Sequence, residues 1–157
     1  MTAIVCVDRH WGIGRDGRLL FRLSDDLKRF RELTEGKTII YGSHTLLTFP
    51  GVKPLPGRRN ILLSRHALSV EGAEVAHGVL EAVEMAGEDA FVVGGETVYV
   101  ELVPYCDRAL VTRVDANYIA DCHFPNLDRS PLWKKVSESK RIEEGELSYR
   151  YVEYARN

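Results

Sequence analysis

The chain has 157 residues, 45% hydrophobic and 28% charged, enough for one substantial core and ordinary for a globular protein. Its 21 Lys+Arg against 23 Asp+Glu leave a formal charge of −2, which excludes the global basic footprint of a nucleic-acid binder. Cys6, Cys106 and Cys122 are odd in number and lack metal-site spacing, which argues against a disulfide framework or structural zinc and favours a reducing cytoplasm.

In chain order, "AIVCV" (3–7) is a short apolar run, expected to be a strand buried on both faces. It is too short, and lacks the basic flank, for a signal peptide; no later stretch could span a membrane, so the expected location is cytoplasmic. The glycine-rich "GIGRDG" (12–17) reads as a loop. A helix is predicted from Ser24, as N-cap, to Thr34, stopped at Gly36. "KTIIYG" (37–42) is a second strand and "SHTLLTF" (43–49) a short helix, followed by a Pro- and Gly-rich loop. "RNILLS" (59–64) is a strand and "VLEAVEMAG" (79–87) a helix. "DAFVVGG" (89–95) is a strand, "ETVYVELVP" (96–104) a helix, and "DRALVTRVD" (107–115) a strand. "LWKKVSES" (132–139) and "LSYRYVEY" (147–154) alternate like an antiparallel hairpin. The sum is an α/β domain with a mainly parallel sheet, single over residues 1–157, without repeats.

Gly12, Gly14 and Gly17 match the spacing of a dinucleotide fingerprint, but no helix starts within them, so they read as a lid loop rather than a Rossmann turn. "YGSHT" and "VVGGETVY" instead place strand, glycine and helix start in sequence, an arrangement that can hold an anion. Ser64 and Arg65 close a strand where open sheets meet ligands and could grip a phosphate. Leu23, Leu27, Phe30 and Thr34 mark one helix face that includes Asp26; Asp25, Lys28, Arg29 and Glu32 mark the solvated one. Asp26 is therefore the acid that needs a partner, and Asp25 an ordinary helix-start acid.

These motifs together, with "PLPGRRNILLSR" and "DCHFP", resemble dihydrofolate reductase over roughly residues 4–124 and into the closing hairpin. The resemblance implies a central eight-stranded, mainly parallel sheet with a C-terminal antiparallel hairpin and four flanking helices. It implies NADPH-dependent reduction of 7,8-dihydrofolate, with no metal, no nucleic-acid partner, and a monomer. On it, Asp26, Phe21 and Thr112 are the expected catalytic positions, Asp26 binding the pterin edge and Thr112 supporting the acid. Ile4, Val5, Leu27, Phe30, Phe49 and Val93 fall on pocket-lining positions, and Lys53 and Leu55 are also expected to bind the substrate. Arg58 falls on the arginine that pairs with the α-carboxylate of the folate tail.

For the cofactor, the resemblance points to Cys6 and to Ile13, Gly14, Gly17, Arg18 and Leu19 of the lid. Gly42, Ser43, His44 and Thr45 form one phosphate-facing turn, and Gly94, Gly95, Glu96, Thr97, Val98 and Tyr99 the other, with a cis peptide between the two glycines. Leu63, Ser64 and Arg65 match the 2′-phosphate grip, and Asp121 the partner of the mobile lid. Three departures stand out: Leu20-Phe21 where the family usually reads Pro-Trp, Ser24 for Pro, and Ser43 for a phosphate-side arginine. The alternatives are a pyrimidine or pteridine reductase of the same fold and a non-catalytic folate- or NADPH-binding module.

Overall fold

The computed structural model describes residues 1–67 and 69–157. In chain order the elements are β1 (Thr2–Val7), β2 (Gly12–Arg15), β3 (Arg18–Leu19), α1 (Ser24–Thr34), β4 (Thr38–Gly42), α2 (Ser43–Leu46), β5 (Arg59–Leu63) and β6 (Glu74–Ala76). They continue as α3 (Val79–Ala86), β7 (Phe91–Gly94), α4 (Glu96–Leu102), β8 (Arg108–Val114), β9 (Cys122–His123), β10 (Trp133–Glu138), β11 (Ile142–Glu144) and β12 (Leu147–Arg156).

Eight strands lie side by side in the order β10-β12-β8-β1-β7-β4-β5-β6, and β11 adds to β12. From β8 to β6 every pairing is parallel, while β12 joins β8 and β10 antiparallel. The expected eight-stranded, mainly parallel sheet with an antiparallel closing hairpin and four helices is therefore what forms. Alternation along the central strands sends side chains to two faces. Val5, Ile40, Ile61, Val92 and Val111 share the larger core with Leu102 and Ala82, whereas Ile39, Tyr41 and Leu62 form a second cluster on the other face. No helix among the described residues is long and apolar enough to cross a membrane.

Several local expectations need correction. β1 is buried on one face only: Ala3, Val5 and Val7 are buried, while Thr2, Ile4 and Cys6 are half-buried. The segment 12–17 is not a plain loop but a hairpin, β2 against β3, with β9 added on its other side. Its turn residues Asp16 and Gly17 both have positive φ, 52° and 75°, as a two-residue type I′ turn requires, and Asp-Gly is the sequence pair that favours it. The helix predicted over 43–49 is shorter, ending at Leu46. β6, β9 and β11 were not expected, because strands of two or three residues draw their stability from a partner rather than from their own pattern.

Candidate active site

The central feature is a parting of strands. β1 pairs with β8 along its whole length, from Thr2↔Arg108 to Val7↔Arg113, but with β7 only at Thr2↔Phe91 and Ala3↔Val92. Past Ala3 the two neighbours separate, and the backbone of Ile4 is released from the ladder on that side. A buried polar group must find a partner. Tyr99 supplies it from α4, its hydroxyl donating to the Ile4 carbonyl at 2.7 Å. The Tyr99 ring is 3% exposed and meets Phe124 edge-on at 4.7 Å.

Asp26 stands beside this slot. Cys6, Thr112 and Tyr151 are register partners across β1, β8 and β12, so their side chains lie in a row on the sheet face beneath α1. The Thr112 hydroxyl donates to Asp26 Oδ1 at 2.6 Å. Burial pushes the Asp26 carboxyl above its ordinary range; the Thr112 bond and the Arg29 charge pull it down, and the Glu144 charge adds to the rise. Burial also lifts the Cys6 thiol well above its usual value, with the Asp26 charge reinforcing it. Asp25 is exposed, so the helix phase separates the two acids as expected.

The same phase overstates how much of α1 is covered. Leu27 is 44% exposed and Phe30 half-buried; the stripe is sealed only at its ends, by Leu23 and Thr34. Arg29, placed on the solvated face, has its guanidinium 4.0 Å from the centre of the Tyr151 ring. Ser24 is also not the cap. It is the first helical residue, Leu23 precedes it with no side-chain acceptor, and the Ser24 N–H goes instead to Glu144 Oε2 at 3.0 Å.

A glycine-lined cradle occupies the ends of three neighbouring strands. Gly42 pairs with Leu63 and Tyr41 with Gly94, which brings the exits of β4, β5 and β7 together. α2 and α4 begin there without side-chain caps, leaving their first N–H groups free. The Gly94–Gly95 peptide is cis. A Cβ at Gly94 or Gly95 would stand 3.2 or 3.3 Å from Thr45 Oγ1, and one at Gly42 only 2.9 Å from Val98 Cγ2. Val98 and Tyr99 are buried in the core, so Glu96 and Thr97 carry the accessible side chains of this turn. Ser43 and His44 are exposed and Thr45 half-buried. Ser64 Oγ accepts the N–H groups of His66 and Ala67, and exposed Arg65 makes only a 3.9 Å approach to Glu101.

The two arginines after Gly57 have opposite fates. Arg59 is committed to structure, donating to Glu74 Oε2 at 2.5 Å and to the Met85 carbonyl at 2.7 Å. Arg58 is half-buried, its Nε has no partner among the described residues, and its guanidinium lies 6.0 Å from the Phe30 ring centre. Burial holds its pKa below the usual value, with Glu35 opposing. Asn60 locks the turn beneath them, donating to the carbonyls of Leu55 and Arg58 and accepting from the Tyr41 hydroxyl. Phe49 packs edge-on against Tyr41 at 4.8 Å, Val93 is half-buried in the same cluster, and Lys53 is exposed.

The 12–21 segment, expected to act as a lid, supplies most of the lining of one cavity. This cavity of about 700 Å³ lies between Asp16–Arg22 and Leu47-Thr48, and takes in Gly17, Arg18 and Leu19. Asp121 ties the lid as expected, its Oδ2 accepting the Asp16 N–H at 2.9 Å. Sequence reasoning missed a second tie. Asp8, 1% exposed, accepts the N–H groups of His10 and Gly12 through Oδ1 and of Tyr118 through Oδ2. An acid ending an apolar strand just before glycines was the available signal. Among the expected site residues, Ile13, Val5, Val98 and Tyr99 pack in the main core, while Phe21 is buried against Tyr118, with ring centres 5.1 Å apart, in the cluster that Cys6 and Tyr151 also join. Phe21 supplies shape there, having no proton to give.

Comparison with known proteins agrees with this geometry. A family model described as "Dihydrofolate reductase" matches residues 1–156. The dihydrofolate reductase of Mycobacterium tuberculosis is 39% identical over 150 residues, covering 92% of this chain and 91% of that protein. That of Bacillus subtilis is 32% identical over 154 residues, covering 96% and 90%. Among solved structures, dihydrofolate reductase from Enterococcus faecalis complexed with NADP(H) and RAB-propyl superposes with a TM-score of 0.87 at 32% identity, covering 99% of this chain and 95% of that one.

Proposed function

The chain belongs to the dihydrofolate reductase family and catalyses NADPH-dependent reduction of dihydrofolate; we propose that Asp26, held by Thr112, is the ionisable group that orients its substrate. The observation that supports this most directly is the 2.6 Å Thr112–Asp26 bond beside the parted strands. A carboxylate with one oxygen satisfied internally has the other free for adjacent N–H donors, such as the amino and N3 edge of a pterin. Arg58, with its buried and unpartnered Nε, suits the α-carboxylate at the far end of the same substrate. That favours a folate over a pyrimidinone lacking such a tail.

The residues present fit a phosphorylated dinucleotide. Uncapped N–H groups at α2 and α4 and a cradle too tight for a Cβ suit a pyrophosphate, and Ser64 with Arg65 suits a 2′-phosphate. NADPH, when bound, supplies the hydride that pterin C6 receives. The chain's own part is to orient the substrate through Asp26 and Arg58, to close the 12–21 lid against bulk water, and to favour a protonated pterin through the Asp26 charge. Water under the lid brings the proton to N5, since Asp26 engages the opposite edge. We further propose that residues 1–157 act as a single-domain monomer in the cytoplasm. The direct test follows NADPH oxidation with and without dihydrofolate, in wild type and Asp26→Asn. Tight binding of both ligands without turnover would instead identify a non-catalytic binding protein.

A further inference from the structure

We propose that Glu144 is a positioning residue for Asp26: reaching over from β11, it accepts the free N–H of Ser24, fixes the start of α1 two residues ahead of the acid, and sets a second negative charge against the same turn. The inference rests on the reading of Asp26 given above. Its basis is geometric. α1 has no cap of its own, because Leu23 offers no acceptor and Ser24 lies inside the helix. The Glu144 carboxylate fills that role across 120 positions of chain, with Oε2 at 3.0 Å from the Ser24 nitrogen and Oε1 at 3.5 Å from that of Asp25.

The acceptor is itself anchored. β11 pairs with β12 through Ile142↔Tyr149, Glu143↔Ser148 and Glu144↔Leu147. Ile142 and Leu147 pack against the cluster of Phe21, Leu23, Val114 and Tyr149. The hairpin and the helix start thus share one apolar footing, so the capping bond does not have to order a free side chain from solvent. Ser24 can take part only because it has an N–H; a proline at this first helical position would offer none.

Five groups surround Asp26: Arg29 from α1, Cys6 from β1, Thr112 from β8, Tyr151 from β12 and Glu144 from β11. Thr112 and Arg29 favour the charged acid, and Glu144 opposes it. Removing the Glu144 charge therefore makes Asp26 a weaker proton acceptor.

Two substitutions separate bond from charge. Glu144→Gln keeps an acceptor oxygen and loses the charge; Ser24→Pro loses the donor and keeps the charge. In the full chain labelled with carbon-13 at aspartate carboxyls, the Asp26 titration is read directly, apart from turnover. Glu144→Gln is expected to weaken proton binding at Asp26 roughly two- to threefold, moving its midpoint to lower pH. Ser24→Pro shifts it the same way by less, because the released carboxylate swings off the helix, and the double variant shifts no further than Glu144→Gln alone. Glu144→Asp, which keeps the charge, should move the midpoint less than Glu144→Gln does. The pH–rate profile for dihydrofolate reduction should follow the midpoint. An unmoved midpoint in Glu144→Gln, or fully additive shifts in the double variant, overturns the proposal. A midpoint that moves while the rate profile stays fixed supports Glu144 as positioner and removes Asp26 from the reaction.

Discussion

Thr112 and Asp26 meet between the middle of the sheet and the first turn of α1, Oγ1 to Oδ1 at 2.6 Å. The hydroxyl can give its proton to only one acceptor, so the bond fixes which carboxylate oxygen remains for a ligand. Replacing Thr112 by valine keeps the shape and removes the donor. We expect a loss of about 1 kcal/mol in stability and an alkaline shift of the Asp26 midpoint, because a contact that favours the charged acid is gone. Thermal melting and the pH–rate profile measure the two effects.

Asp26→Asn should trade activity for stability. The folded carboxyl titrates above its ordinary range, so between the unfolded and folded values the native state holds the extra proton. Wild-type stability from this group is greatest in acid and falls as pH rises through that window. The asparagine variant escapes the fall. Its melting temperature should exceed that of wild type near neutral pH, with the advantage vanishing in acid. Turnover at neutral pH should drop, with partial recovery in acid, where protonated substrate is plentiful. An unchanged rate profile would remove Asp26 from the mechanism.

Arg58 is held half-buried with Nε unpartnered, an expense that a bound carboxylate would offset. Arg58→Leu should raise the KM for dihydrofolate roughly 10- to 100-fold and leave that for NADPH nearly unchanged. Arg58→Lys should recover little, since an ammonium cannot reproduce the planar two-point fork. Arg59→Leu is the contrast. It breaks the Glu74 and Met85 bonds and should appear as lowered stability rather than altered substrate KM.

Gly42→Ala places a methyl 2.9 Å from Val98 Cγ2, where β4 and α4 pass each other. The strand end and the helix must move apart, at about 1–3 kcal/mol. The displacement falls on the cradle, so NADPH affinity should suffer more than dihydrofolate affinity. Fluorescence titration with each ligand separately tests the asymmetry.

Much of this was legible in the chain itself. The central strands announced themselves as apolar runs, and spacing along the first helix singled out Asp26 from Asp25. Arg58 and Arg59 were adjacent and alike in type; the family resemblance picked out Arg58, and the fold adds that Arg59 goes to Glu74 while the Arg58 Nε stays open. Leu27 broke the expected burial because periodicity records which residues share a face, not whether that face meets a core or a cleft. The Glu144 cap had no local signature at all, since its donor lies 120 positions away. The Asp16-Gly17 turn did have one, and its positive φ values are those the pair favours.

Asp8 makes a harsher test of long-range order. Its carboxylate accepts three N–H groups from the two ends of the lid system, Gly12 with His10 on one side and Tyr118 on the other. Asp8→Ala should cost about 1–3 kcal/mol, because the buried Gly12 N–H and two half-buried donors lose their acceptor. Amide exchange should rise in both segments together, although they are far apart in sequence.

Because β1 and β7 stop pairing after Ala3 and Val92, the Ile4 carbonyl on that side of β1 is held by the Tyr99 phenol rather than by a ladder. Whatever occupies that opening becomes, in effect, a missing strand contact. The resistance of this protein to heat and proteolysis should therefore track its ligands: by mass action, occupancy at a hundred times Kd adds about 2.7 kcal/mol to the folded state. In a cell short of substrate and cofactor, the same polypeptide would be a softer target for degradation than in one well supplied.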